Sequence, residues 1–386
     1  MTAPISRTGT FALMVAHCAG MVDLVALPVW IGTLVQRYRF DVQQAGGVVT
    51  LFLLGAVVAS IIVATRAGAR RRRVIAACGY GISAIAFGIM AAADQASILP
   101  ALHLVAGLSA GAALSVTHGT IGQSANPHRL FALVGVALGV FAIAFMGGVA
   151  PLATKTDGLS LFNVLSAVMA VAAIASGLAF PRTSEGASSK IAQEPALPIP
   201  RAAWFAVAGI SIMALVQAMT FSFLERAGHA RGFSVAAITG LFIAIGVVNL
   251  FPAAIAAMLE RRLRAQVVLL GGPVVQALLA ATIMMSAEFG PFAMAASVLS
   301  AVMIFTHTFA FGLVGRLDRG GRSLSATPAM LMTGAAIGPI LGGTLVKMSG
   351  YESIAVAACC LAAAALFCFS RVGSSLGQLA KTEADR

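Results

Sequence analysis

Asp23 is the only acidic residue that lies deep within a long apolar segment, the run from Phe11 to Val35. Placing a charged carboxylate at the centre of a lipid bilayer costs about 2.5–3.5 kcal/mol on insertion scales. A carboxyl group buried without an adjacent base therefore takes up a proton more readily than one in water. This position makes Asp23 the first candidate for a proton-coupling or cation-binding group.

Four of the six histidines also lie within apolar runs: His17 in the first, His103 and His118 in the fourth, and His307 in the tenth. Because histidine exchanges a proton near neutral pH, we expect His103 and His307 to take part in proton coupling. The alternative for each is a hydrogen-bonded polar residue of the core. No bound metal is expected, because His103 and His118 are about 22 Å apart along a helix and no local metal-binding spacing occurs.

On an ideal helix Asp23, Leu27 and Trp30 share one face. Trp30 would then lie beside the carboxyl group, where its ring can stack on a flat or cationic compound. The alternative is a residue of the aromatic belt at the membrane surface. Glu225 and Arg226 end the seventh run, where we expect them to be solvated rather than to gate a cavity.

Twelve apolar segments carry these residues. The chain has 386 residues, 59% hydrophobic and only 10% charged, whereas soluble domains carry about 25% charged residues. Its mean hydropathy is +0.96, and a membrane-spanning helix needs about 20 mostly apolar residues. The sequence therefore predicts an all-α membrane protein with transmembrane helices at 10–35, 43–65, 74–93, 97–123, 130–153, 159–181, 202–225, 234–258, 265–287, 290–315, 324–346 and 351–371.

One polar stretch, rich in Pro, Ser and Glu, divides these segments into two sets of six. It predicts an N-terminal six-helix bundle at 1–181, a cytoplasmic linker at 182–201 and a C-terminal six-helix bundle at 202–386. The tetrapeptides at 39–42 and 232–235 resemble each other in corresponding positions of the two halves. Parallel six-helix repeats place a binding site at their interface, near the middle of the membrane.

The net charge of +12 is explained by the distribution of Lys and Arg between the two sides of the membrane. If both termini lie on one side, only six of the 25 Lys and Arg residues fall in the loops of the other side. The positive-inside rule then predicts cytoplasmic termini, in a bacterial inner membrane. The basic residues are thus assigned to the membrane surface, and no nucleic-acid binding is expected.

Two stretches of the first half resemble the major facilitator superfamily. Residues 20–46 resemble the first span and loop of its proton-driven drug exporters, in which an acidic residue precedes a helix-distorting proline, here Pro28. Residues 65–71 resemble the basic loop between spans 2 and 3, with Thr65 in place of the usual Asp.

Two further stretches carry the same resemblance. Residues 103–107 resemble the span 4 motif, with His103 in place of its Arg. Residues 334–343 match the pattern Gly-x-x-x-Gly-Pro-x-x-Gly-Gly. In the exporters that pattern belongs to span 5, whereas here it lies in span 11, and its glycines let helices approach closely.

The resemblance implies a central cavity lined by spans 1, 4, 7 and 10, and two pseudo-symmetric bundles that rock about the linker. The substrate-binding set that it implies is Trp30, His17, His118, Gln217, Phe221 and Phe305. The set expected to control the conformational change is Arg66, Gly68, Arg70, Gly334, Gly338, Pro339, Gly342 and Gly343.

The combined prediction is a secondary active transporter with alternating access, which exports a small amphipathic neutral or cationic compound in exchange for protons. Two alternatives stay open: an importer of a small polar metabolite, by proton symport or facilitated diffusion, and a non-transporting membrane sensor or scaffold. No Lys or Arg lies deep in a span, which disfavours phosphoanions. No nucleotide-binding or catalytic motif occurs, so neither an enzyme nor a cofactor is expected. The expected partners are the substrate, protons and lipid, and the expected state is a monomer.

Overall fold

The computed structural model describes residues 5–66, 71–93, 95–124, 126–156, 159–181, 200–260, 262–317 and 327–384. Within these residues the regular structure is entirely helical, and twelve helical segments are long and apolar enough to cross a membrane. Spans 1 to 12 cover Arg7–Gln36, Val42–Val63, Arg72–Ala92, Ala96–Gly122, Arg129–Ala153, Ser160–Ala179, Arg201–Ala230, Val235–Leu259, Ala265–Met285, Phe289–Val314, Leu331–Ser349 and Glu352–Val372.

Fifteen α-helices form these spans in the described part of the chain, because spans 1, 7 and 8 are each divided in two. They are α1 (Arg7–Gly20), α2 (Val22–Gln36), α3 (Val42–Arg66), α4 (Arg72–Ala92), α5 (Leu99–Gly122), α6 (Pro127–Lys155), α7 (Leu159–Ala179), α8 (Arg201–Ser222), α9 (Leu224–Ala230), α10 (Val235–Val248), α11 (Pro252–Leu259), α12 (Ala265–Met285), α13 (Phe289–Leu317), α14 (Thr327–Ser349) and α15 (Glu352–Ala384).

The predicted fold class, twelve transmembrane helices in two six-helix bundles, is confirmed. Span 7 continues beyond its predicted end at residue 225 to Ala230, and span 11 covers Leu331–Ser349 instead of 324–346. Residues 182–199 of the predicted linker lie outside the described residues, so the linker boundaries stay a prediction.

The two bundles meet closely at one end of the molecule, which we call the Asp41 end; the opposite end, with Arg7, Pro181 and Pro200, is the linker end. At the Asp41 end, the Gln43 side-chain amide donates a 3.1 Å hydrogen bond to Thr344. The backbone N–H of Ile340 donates one of 3.2 Å to Thr50. These hydrogen bonds join α3 of the first bundle to α14 of the second, so the seam between the bundles is closed at this end.

The two similar tetrapeptides have the same local structure. Arg39 and Gly232 both have a positive φ, 59° and 81° respectively, and two residues later Asp41 and Ser234 each accept a hydrogen bond from the first turn of the following helix. The Asp41 carboxylate accepts a hydrogen bond from the Gln44 N–H at 2.9 Å, and the side-chain Oε1 of Gln44 accepts one from the Asp41 N–H at 3.0 Å. This reciprocal pair is a capping box that fixes where α3 begins.

Spans 1 and 7 are interrupted by residues with nearly the same backbone angles. Met21 lies between α1 and α2 with φ −107° and ψ 19°, and Phe223 lies between α8 and α9 with φ −108° and ψ 4°. An acidic residue follows each break by two positions: Asp23 in α2 and Glu225 in α9. Discontinuous helices of this kind bind ions or substrates in many transporters, because the break leaves backbone groups and helix ends within the membrane.

Candidate functional site

Asp23 lies near the middle of span 1, in the first turn of α2. Only 2% of the residue is exposed, and its Oδ1 atom has no hydrogen-bond partner within the described residues. Two effects oppose each other here. The N-terminus of a helix favours a negative charge, whereas burial favours the neutral acid.

Trp30 and His103 are held together within the first bundle. The indole N–H donates a 2.9 Å hydrogen bond to Nε2 of His103, and Nδ1 of His103 lies 2.8 Å from the Leu99 carbonyl oxygen. In this arrangement Nδ1 carries the proton and Nε2 accepts, so the imidazole is neutral. His103 can take a further proton only after Trp30 moves away.

The Trp30 indole is 0% exposed and packs among aromatic rings from three other spans: Phe52, Phe87 and Phe162. The structure therefore places it inside the bundle, neither in a surface belt nor on a central cavity in this conformation. Because residues seven apart share a helix face, Asp23 lies on the same side of α2 as this cluster. A substrate contact by Trp30 stays a prediction that requires another conformation.

His17 and His118 form a second pair, between spans 1 and 4. Nδ1 of His17 lies 3.0 Å from Nε2 of His118, with the ring centroids 5.1 Å apart. Nδ1 of His118 is buried and has no partner in the described structure. His103 and His118 therefore have different partners, and within the described residues no group of three or more metal-binding side chains occurs.

The remaining predicted substrate contacts lie in the second bundle. Gln217 donates a 2.6 Å hydrogen bond to Ser300, which leaves its buried Oε1 without a partner among described residues. Phe221 packs edge-on against Phe242 of span 8. Between spans 7, 8 and 10 these side chains therefore provide one unpaired hydrogen-bond acceptor, Oε1 of Gln217, and the aromatic rings of Phe221 and Phe242.

Span 10 carries the last two of the predicted residues. Phe305 contacts the ring of Phe309 at a tilted angle and lines an apolar groove of about 600 Å³ between spans 8, 9 and 10. His307 contacts the ring of Phe311 one turn further along. The structure does not bring His307 and His103 together, since they lie in different bundles with different neighbours.

The glycines of span 11 lie where α14 touches its neighbours most closely. A Cβ atom on Gly334 would overlap the carbonyl of Ser211, and one on Gly338 would lie 2.7 Å from Ala218. Both neighbours belong to span 7. A Cβ atom on Gly342 would lie 2.7 Å from Phe223 at the break in that span. The motif therefore packs span 11 against span 7.

Two other residues of the set expected to control the conformational change, Gly343 and Pro339, lie where the two bundles meet. A Cβ atom on Gly343 would overlap the Val42 carbonyl, and one on Gly46 would overlap the carbonyl of Pro339. Gly68, Arg70 and the side chain of Arg66, from the basic loop between spans 2 and 3, lie outside the described residues.

Glu225 was expected to be solvated, and this expectation is wrong. The residue is 9% exposed, because the break at Phe223 turns α9 against α2 of the other bundle. A Cβ atom on Gly32 would lie 3.5 Å from its Oε2 atom. Sequence reasoning missed this because span 7 was ended at residue 225, although Ala227 and Gly228 continue the apolar run.

An ion pair closes the Asp41 end. Nζ of Lys347 lies 2.8 Å from Oδ2 of Asp41, and this hydrogen bond, with a second from the Gln44 N–H, lowers the pKa of the Asp41 carboxyl group. Both side chains are substantially exposed, 48% for Lys347 and 39% for Asp41. Exposed pairs contribute about 0–1 kcal/mol, so this pair biases the closed state without determining it.

We expect Lys347→Gln to reduce the closed-to-open ratio by about fivefold or less. Because the pKa of Asp41 is lowered in the closed state, the pair stabilises closure above its ordinary pKa and loses this effect as pH falls through the lowered value. Disulfide formation between Gln43→Cys and Thr344→Cys measures closure, and Lys347→Arg is the control. If added salt does not weaken the effect of Lys347→Gln on closure, the result would contradict a contribution from a solvent-exposed ion pair, which salt screens.

We expect Trp30→Phe to lower thermal stability, because it leaves Nε2 of His103 buried without a donor, at a cost of about 1–3 kcal/mol. Trp204→Phe is the matched control, since Trp204 is the only other tryptophan and is 57% exposed. A thermal unfolding scan makes the comparison. Lost transport with unchanged stability would instead favour direct substrate contact by Trp30.

Comparison with known proteins agrees with this architecture. The family model of the Major Facilitator Superfamily matches residues 12–317. The solved structure of the nucleoside transporter NupG is similar, at 14% sequence identity and a TM-score of 0.69, over 95% of this chain and 98% of that one. A D-xylose-proton symporter has 14% identity and a TM-score of 0.69, over 95% and 96%.

The human organic anion transporter MFSD10 (TETRAN) is also similar, at 14% identity and a TM-score of 0.65, over 95% of this chain and 100% of that one. No curated protein sequence matches the chain. At these identities the likeness concerns the fold.

Proposed function

The chain belongs to the Major Facilitator Superfamily, and we propose that it uses a proton gradient to take up a small neutral compound that carries hydrogen-bonding groups. Membership makes it a secondary transporter, not an enzyme. The observation that carries the proposal is the buried carboxyl group of Asp23 at the break in span 1, whose Oδ1 atom has no partner among the described residues. A carboxyl group in this position binds one proton when dry and releases it when hydrated.

The polarity of the candidate site supports a neutral cargo. The buried polar atoms that lack partners among the described residues include three neutral groups, Oε1 of Gln217, Nδ1 of His118 and Oδ1 of Asn249. Amide and imidazole groups recognise hydroxyl and amide groups of a substrate without a fixed opposite charge. The names of two similar structures, a nucleoside transporter and a D-xylose-proton symporter, agree with a cargo of this type.

In the proposed cycle, Asp23 binds a proton and the cargo binds between the bundles when the Asp41 end is open. When the seam between α3 and α14 then closes, the proton on Asp23 and the bound cargo become accessible from the linker end. The positive-inside rule supports a cytoplasmic linker end and cytoplasmic termini. The conformation described here, closed at the Asp41 end, is then the one that faces inward. Residues 182–201 would be the hinge between bundles at 1–181 and 202–386.

Right-side-out vesicles test this proposal. An acidic outer medium is expected to drive accumulation of a nucleoside or of D-xylose in vesicles that contain the protein, and a protonophore is expected to abolish it. Vesicles without the protein are the control. Absence of accumulation for every compound of a neutral panel would overturn the proposed cargo class, and accumulation that ignores the protonophore would overturn proton coupling.

Export is the second candidate, and the resemblance of residues 20–46 to the first span of proton-driven exporters favours it. In that case the acidic outer medium expels a preloaded lipophilic amine from the same vesicles. The direction of pH-driven flux therefore decides between the two functions.

A further inference from the structure

The apolar groove of about 600 Å³ between spans 8, 9 and 10 lies on the surface of the second bundle. It lies beside the break in span 8 between α10 and α11, and three of its lining residues, Phe251, Ile255 and Val275, are exposed. On the span 9 side, a Cβ atom on Gly271 would have no neighbour within 4 Å. The groove is therefore open from outside, and its volume is typical of small-molecule sites, about 300–1,000 Å³.

The lining of this groove does not suit the polar cargo proposed above. Of the described residues that line it, only Thr306 has a polar side chain. A compound with several hydrogen-bonding groups would lose its bonds to water there without replacing them. A hydrocarbon chain has no such bonds to lose, and three helices around it provide more dispersion contacts than one helix face does. The groove therefore matches the acyl chain of a phospholipid.

Basic residues lie beside the part of the groove that is nearest the linker end. Arg262 and Arg264 belong to the loop between spans 8 and 9, and both are exposed. The N–H of Val268, a lining residue, donates a 3.3 Å hydrogen bond to the Arg264 carbonyl. Arg264 thus lies one turn beyond the groove wall, about 6 Å along the helix axis. A guanidinium group in this position can bind the phosphate of a lipid whose chain fills the groove.

One acidic residue, Glu260, lies on the span 10 side of the same loop. Its Oε1 atom is 3.6 Å from the position of a Cβ atom on Gly312, near the linker end of span 10. The described residues of this loop therefore carry two guanidinium groups and one carboxylate, which is a net positive charge. A net positive charge favours an anionic headgroup over a zwitterionic one.

From this geometry we propose that the groove binds one anionic phospholipid, whose acyl chain fills it and whose phosphate group is held by Arg262 and Arg264. The positive-inside rule is expected to place this loop on the cytoplasmic side, where anionic lipids are abundant. The chain would contact spans 8, 9 and 10 at once and so hold both parts of the broken span 8 against span 10. None of the described lining residues belongs to the first bundle, so this inference is independent of the cargo and direction of transport.

Native mass spectrometry of the purified full-length protein tests the site. The protein in a non-ionic detergent is titrated with dioleoylphosphatidylglycerol, which is anionic, or with dioleoylphosphatidylcholine, which is zwitterionic and has the same chains. We expect the first anionic lipid to bind about tenfold more tightly than the first zwitterionic one, because each arginine near an anionic lipid contributes about a factor of five. Equal affinity of the parent protein for the two lipids overturns the inference.

Gly271→Leu tests the position of the acyl chain. The new side chain would enter the groove, so we expect the first molecule of either lipid to bind at least about tenfold more weakly. Gly240→Leu is the matched control, since Gly240 lies in span 8 outside the lining residues and its Cβ atom would also have no neighbour within 4 Å. Equal lipid binding by the two variants overturns the assignment of the chain to this groove.

Arg262→Gln combined with Arg264→Gln tests the headgroup contact. We expect this pair to bind both lipids with affinities within about twofold of each other. Arg7→Gln combined with Arg129→Gln removes the same charge from exposed positions at the linker end of the first bundle, and we expect it to keep the preference. A preference that persists in the first pair, or that falls equally in both pairs, overturns the inference. Displacement of the bound lipid by D-xylose or a nucleoside would assign the groove to the cargo and overturn it as well.

Discussion

Asp23→Asn is expected to reduce pH-driven transport to the level of vesicles without the protein, while exchange of labelled for unlabelled substrate continues. Asparagine occupies nearly the same volume as the protonated acid but cannot release a proton. The loaded carrier can therefore still change conformation, whereas the cycle cannot use the gradient. Paired measurements of pH-driven uptake and of exchange at equal pH test both parts.

Glu288→Gln controls for loss of an acid at an exposed position, and the amount of folded protein is measured for each variant. Full pH-driven uptake by Asp23→Asn would contradict a coupling role. Loss of uptake and exchange together, with normal folding, would indicate that Asp23 contacts the substrate instead of carrying the proton.

Gly46→Ala is expected to prevent tight closure of the Asp41 end. The added methyl group would overlap the carbonyl of Pro339 in the other bundle, and overpacking of this kind costs about 1–3 kcal/mol. Because the contact exists only when the seam is closed, the closed-to-open ratio should fall about tenfold to a hundredfold. The rate of disulfide formation between Gln43→Cys and Thr344→Cys measures this ratio, and uptake should fall with it.

Gly47→Ala is a matched control one position along the same helix. Its methyl group would lie 3.7 Å from Ile340, which is an ordinary contact. Both substitutions change helix propensity equally, so only the seam distinguishes them. Equal closed-to-open ratios in the two variants would contradict the view that close contact between α3 and α14 closes the Asp41 end.

Much of the architecture is readable from the sequence, because a bilayer imposes strict requirements on composition and length. Each of the twelve apolar runs became a span. The burial of Asp23 was also predictable, because it lies about midway along the apolar run from Phe11 to Val35, which contains no other acidic residue and no Lys or Arg. The glycines of span 11 were expected to allow close helix contact, and the overlaps at Gly334 and Gly343 agree with that expectation.

The pairing of side chains was not predictable. The His17–His118 contact joins residues 101 positions apart, and the Trp30–His103 hydrogen bond joins residues 73 positions apart. Hydropathy reports that each residue is buried but not which partner it meets. The sequence therefore assigned Trp30 to a cavity or a belt, whereas its N–H is satisfied within the bundle.

The breaks in spans 1 and 7 were missed for a related reason. Neither Met21 nor Phe223 is itself a glycine or a proline, and only the first break has a glycine beside it, Gly20. Before the first break, the Tyr80 hydroxyl donates a 2.5 Å hydrogen bond to the Ala16 carbonyl, a tertiary contact that local sequence does not reveal. Glu225 could be recognised as a buried acid only once the second break had turned its helix into the seam.

Substrate-driven proton movement is the most direct test of coupling through Asp23. Vesicles containing the purified protein and a pH-sensitive dye are given an inward gradient of a neutral compound that the protein transports, with equal pH on both sides. The account predicts that the interior acidifies with the parent protein and with Glu288→Gln, but not with Asp23→Asn. Substrate entry without acidification in the parent protein, or acidification that persists in Asp23→Asn, would contradict it.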